Sequence, residues 1–127
     1  MRQQDTDELG HVNNVVWLRF IVELSHAHGQ AVGVDRALNA EYGAAWVVRR
    51  HSIDYVGSAL AGESIVESTW VSDVRGARCV RVAEFRRKSD ATLLVRAESL
   101  WAFVDKRTQR PRRMPPEIAE RFDVVEA

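Results

Sequence analysis

The sequence predicts an α+β fold on three observations: a long apolar helical stretch near the beginning, alternating hydrophobicity from Ala45 onward, and tight turn signals that cut the second part into strands. Residues 1 to 7 are expected as a short strand leading to a turn at Gly10. A helix follows from about Asn14 to His28 and stops at Gly29, a residue suited to a helix C-terminus. It is apolar on nearly every side apart from Arg19, Glu23 and His26, so most of its surface is expected to be buried. A sheet wrapped around it meets that demand. Val34 to Tyr42 reads as a short second helix closed by Gly43. Ala45 to Tyr55, Glu63 to Val74, Ala77 to Arg87 and Ala91 to Val104 read as strands, separated by Gly57 and Gly62, by Arg75-Gly76 and by Ser89-Asp90. On the last of them Leu93, Val95, Ala97, Trp101 and Phe103 share a face. Long strands with tight turns make a mostly antiparallel meander. Met114-Pro115-Pro116 opens a short helix to about Phe122, with proline suited to a first helical turn. With the opening strand included, the expected architecture is a long central helix wrapped by a mostly antiparallel five-stranded sheet.

At 127 residues the chain fits one domain, 1–127, with room for a substantial core. Hydrophobic residues at 46% and charged residues at 28% place it among globular proteins rather than disordered chains. Arg19 and Glu23 interrupt the longest apolar run, which argues against a membrane span, and the N-terminus lacks the layout of a signal peptide. A cytoplasmic location is expected, and the single Cys79 agrees with a reducing compartment. Eighteen basic and eighteen acidic residues cancel, which counts against a nucleic-acid partner. Two local basic clusters stand out: Arg86-Arg87-Lys88 at a turn, and Lys106, Arg107, Arg110, Arg112 and Arg113 near the end. They read either as solvated surface or as phosphate contacts for a CoA-like group.

Chemistry concentrates in Asp5-Thr6-Asp7-Glu8-Leu9-Gly10-His11-Val12-Asn13-Asn14. Asn13 and Asn14 are good helix N-caps, and the first N–H groups of a helix favour a partial negative charge beside them. A carboxylate delivered to that end by the preceding loop supplies a base or nucleophile next to donors for a developing oxyanion, which is what acyl transfer needs. Asp7 is the candidate carboxylate, and Asp5 two positions earlier either raises its pKa or orients it. From spacing alone both aspartates read more readily as ordinary loop or cap carboxylates. His11 either polarises the site or fixes the turn through a structural hydrogen bond. Gly10 permits a backbone conformation or close approach that a Cβ would hinder. Trp17, Phe20 and Trp46 read as core aromatics or as the lining of an acyl or aryl tunnel.

The pattern D-x-D-x-x-G-H-V-N-N followed by the aromatic Trp17 resembles the hotdog-fold acyl-CoA thioesterases of the 4-hydroxybenzoyl-CoA thioesterase type, and the order of elements after it is similar over nearly the whole chain. The resemblance implies that Asp7 is the catalytic carboxylate and that the Asn14 backbone N–H meets the thioester carbonyl oxygen. His11 and Asn13 match motif positions whose roles vary among relatives. Tyr55 and Ser58 fall where the resemblance implies a border of the acyl pocket of a neighbouring subunit, with Ser58 in place of a proline and Glu63 in place of an aspartate. The expected function is hydrolysis of an acyl-CoA or acyl-carrier thioester, with Asp7, His11 and Asn14 in catalysis and Gly10, Asn13, Trp17, Tyr55 and Ser58 in substrate binding. No cofactor, metal, nucleic acid or membrane is expected as a partner. A homodimer or homotetramer is, because an open sheet leaves edges that pairing would cover. Two rivals share the fold: an acyl-thioester hydratase or dehydratase, whose acid-to-histidine spacing Asp7 and His11 do not match, and a non-catalytic acyl-thioester binding protein.

Overall fold

The switch from helical to alternating pattern is also the main division in the computed structural model, which describes residues 10–124. Before it stand α1 (Asn14–Ala31) and α2 (Arg36–Glu41); after it come β1 (Ala44–Tyr55), β2 (Ile65–Arg75), β3 (Arg78–Arg87), β4 (Leu93–Asp105) and α3 (Pro116–Ala119). The strands of the sheet pair antiparallel, in the order β1-β4-β3-β2. Among the described residues the sheet therefore has four strands, not five; the expected opening strand, residues 1 to 7, lies outside them. The meander runs through β2, β3 and β4, while β1 reaches past its chain neighbour to lie beside β4, with Ala44 opposite Asp105 and Tyr55 opposite Val95.

At 18 residues α1 is of moderate length rather than the long helix expected. It also continues past Gly29. That glycine answers a packing need, because a Cβ there would sit 3.0 Å from the Val34 carbonyl oxygen, and the Val34 N–H donates to the Gly29 carbonyl at 2.8 Å. Burial is narrower than the apolar composition suggests. Trp17, Ile21, Ser25 and Gly29, spaced four apart, form the single buried stripe, whereas Val15 is 74% exposed. The helix thus lies on one face of the sheet, against β2 and β3, with its other side open in the single chain.

Two core clusters hold the layers together. Under the first half of α1, Trp17 and Ile21 pack with Phe85, Leu94, Val95 and Ala97, and the Trp17 ring lies 5.3 Å from that of Phe85. The second cluster gathers Val34 and Leu38 around α2 with Phe103 on β4 and Ile118 of α3. Cys79 belongs to this second cluster, and burial pushes its thiol pKa up to about 11, so it is a core residue and not a thiolate nucleophile at neutral pH. No helix among the described residues is long and apolar enough to cross a membrane.

Candidate functional site

The end of the motif is built by backbone pairing. Gly10 has φ +76°, in the left-handed region that a Cβ disfavours, and so turns the chain into the following residues. His11 forms an antiparallel bridge with Leu60, and the buried Val12 donates its N–H to the Ala59 carbonyl at 2.8 Å. Asn13 then caps α1: its side-chain oxygen accepts from the Val15 N–H at 2.9 Å, and its carbonyl accepts from Val16 at 2.9 Å. Of the two asparagines, Asn13 is the cap and Asn14 is the first helical residue. The Asn14 N–H has no hydrogen-bond partner among the described residues, and the residue is exposed. This is the donor that the helix start was expected to offer an oxyanion.

The connection after β1 comes to the same place. The Tyr55 hydroxyl donates to the Asn14 carbonyl at 3.3 Å, so a residue 41 positions away marks the helix start. Val56 and Gly57 both donate to the Leu94 carbonyl, at 2.8 and 2.9 Å, and a Cβ at Gly57 would lie 3.1 Å from Leu94 Cδ2. Ser58, Ala59 and Leu60 then run past the motif. The structure thus brings together Gly10, His11, Asn13, Asn14, Tyr55 and Ser58. Trp17 stands apart from that surface, 2% exposed within the core. Asp7, like Asp5, lies outside the described residues.

One residue that sequence reasoning missed is Arg87. Read as part of a basic turn, it instead ties the connection down: its guanidinium donates to Glu63 at 2.5 Å, to Asp90 at 3.0 Å and to the Ser58 carbonyl at 2.9 Å. The second oxygen of Glu63 accepts from the Leu60 N–H at 2.7 Å, and that bond leads the causes holding the Glu63 carboxyl below its ordinary pKa. Arg87 thus holds Ser58 and Leu60, which in turn flank the motif. No local signal announces this, since Glu63 is 24 positions away. In the other basic cluster Arg112 donates to the Tyr42 carbonyl at 2.6 Å, leaving Lys106, Arg107, Arg110 and Arg113 as exposed cations. Among the described residues no group of three or more His, Cys, Asp or Glu is placed to hold a metal.

The family model of the thioesterase-like superfamily matches residues 1–122, which takes in the whole acidic motif. The chain belongs to that superfamily. No curated protein shows significant sequence similarity to it. Among solved structures, a protein from Lactobacillus plantarum provisionally assigned as an oleoyl thioesterase superposes with TM-score 0.89 at 20% identity, over 100% of this chain and 50% of its own. This chain therefore spans half the length of that neighbour. A 1,4-dihydroxy-2-naphthoyl-CoA thioesterase from Synechocystis gives 0.83 at 18% identity, covering 94% of this chain and 88% of the neighbour. A Staphylococcus aureus protein in complex with CoA gives 0.89 at 12% identity, covering 95% and 76%. At these identities the likeness is one of fold, and the fold is hotdog.

Proposed function

We propose that this protein, as a single hotdog domain over 1–127, hydrolyses an acyl thioester of CoA or of a carrier protein to the free acid and thiol. The observation that carries the proposal is the unpartnered Asn14 N–H at an exposed helix start, directly after the acidic motif and bordered by Tyr55. In the proposed mechanism the thioester carbonyl oxygen accepts from that N–H while Asp7, ionised at neutral pH, attacks the carbonyl or activates a water. The carbon–sulfur bond then breaks, the thiolate takes a proton, and water supplies the oxygen of the released acid. His11 flanks the reacting group. Gly10 and Asn13 set the turn and the helix start, while Tyr55 and Ser58 border the acyl group. In the proposed site Trp17 acts from the core, backing the wall behind the helix start.

Membership of the thioesterase-like superfamily supports this chemistry, and the neighbour in complex with CoA supports CoA as the carrier. Exposed apolar residues at this end, Val15, Tyr55 and Val56, support a homodimer or homotetramer in which a second copy covers them. The test is thiol release from short, long and aryl acyl-CoAs by wild type and Asp7→Asn. Turnover by the wild type that the substitution abolishes supports the reading. Turnover that survives removes Asp7 from it, and none with any thioester overturns it.

A further inference from the structure

A cavity lies toward the other end of α1, beneath its second half, with a volume of about 660 Å³, a size typical of sites for small organic ligands. Roughly 18 Å of helix separates Asn14 from His26 at its rim. The buried Trp17 and Ile21 fill the space between.

Its lining contains a buried cation. Arg81 is 6% exposed, projects from β3, and has no carboxylate partner among the described residues. Its guanidinium donates to Nδ1 of His28 and lies 6.0 Å from the ring centroid of Phe122. Desolvation first, and Arg81 second, lower the His28 pKa, so the imidazole stays neutral and accepts that bond without neutralising the charge. Asp35, the carboxylate on the lining, already accepts from the Leu38 N–H at 2.9 Å. Burying a charge without a counter-ion is costly. Three further lining groups are fully buried and lack hydrogen-bond partners among the described residues: the indole nitrogens of Trp46 and Trp101, and the side-chain oxygen of Asn39. Arg36 and Lys106 add positive charge to the lining.

We propose that this cavity is a binding site for an apolar organic carboxylate, with the carboxylate on Arg81 and the apolar body against Trp46, Trp101 and Phe122. A guanidinium matches a planar carboxylate through two parallel hydrogen bonds, and a single buried cation balances a single negative charge. The aromatic walls suit a hydrocarbon body better than a hydrated phosphate. The site stands on the cavity alone, independent of thioester hydrolysis.

Octanoate, benzoate, 1-octanol and inorganic phosphate, titrated separately by calorimetry and tryptophan fluorescence, test it. The expected result is saturable binding of octanoate or benzoate, at least about tenfold tighter than 1-octanol, and weakened about tenfold or more in Arg81→Gln, since charged hydrogen bonds carry the affinity. Circular dichroism establishes whether the variant folds. If it does not, Arg36→Glu on the exposed face of α2 decides the matter, with a several-fold loss for the carboxylates supporting the site. Equal binding of 1-octanol, unchanged carboxylate affinity in the folded variants, binding of phosphate in preference, or no carboxylate binding overturns it.

Discussion

The two ends of α1 are built on opposite plans. At its start the polar groups belong to the backbone, and they are ordered by backbone bonds: His11 bridges Leu60, Val12 donates to Ala59, and Asn13 caps its own helix. The donor left over faces outward. Under its second half the groups are side chains, Arg81 without a carboxylate partner and Trp46, Trp101 and Asn39 without a hydrogen-bond partner among the described residues, and they line a cavity. An exposed backbone donor is solvated until a reacting group arrives and costs little to keep, whereas a buried guanidinium without a counter-ion is a standing cost. The first plan suits a transient charge. The second suits a resident one.

The comparison breaks most sharply at Asp7. Asp7→Asn is expected to lower thiol release by at least about a hundredfold, the scale of losing an essential catalytic group, with carboxylate binding in the cavity unchanged. Thiol-release kinetics beside calorimetry on the same preparation check both halves. Phe85→Ala removes the ring packed against Trp17 and is expected to cost about 3–5 kcal/mol in a urea unfolding curve. Because that core lies between the two ends, both activities should fall together. Arg87→Gln is expected to reduce turnover about tenfold, roughly 1.4 kcal/mol, by loosening Ser58 and Leu60, while circular dichroism stays native. Asn13→Ala loses the cap and should cost about 1 kcal/mol of stability, read from the same urea midpoint.

The smallest expected effect is one of pH. Glu63 has a lowered folded-state pKa, chiefly from the Leu60 N–H and then from Arg87. Its contribution is therefore complete above the unfolded value of about 4.3 and is lost as pH falls through the lower folded value. A urea midpoint that declines between about pH 5 and pH 3, and declines less in Glu63→Gln, is the expected outcome.

The same contrast governs what was legible in the sequence. Alternation from Ala45 located β1 to within one residue of its start, and the turn signals placed β2, β3 and β4 within two residues at each end. The motif was readable because its parts are consecutive, so Asn13, Asn14 and Gly10 announce a turn and a helix start by local chemistry alone. Arg87 was not readable, because its meaning depends on Glu63 and Ser58 from another turn. The cavity was less so: Asn39, Trp46, Arg81 and Trp101 come from α2, β1, β3 and β4, and each resembles ordinary core or surface in its own segment. Helix burial misled for a related reason, since Val15 and Leu18 are apolar yet exposed in the single chain.

The position of β1 also sets the order in which the chain can assemble. Hairpins β2–β3 and β3–β4 close over short turns, but β1 gains its hydrogen bonds only by meeting β4, across the whole length of the intervening meander. Loop-closure entropy makes that contact late. The meander is therefore the natural folding nucleus, and until β1 arrives the β4 edge stands open to strands from other molecules. Dilute, cold refolding should accordingly recover more native protein than concentrated, warm refolding, because the docking of β1 competes with encounters between half-folded chains.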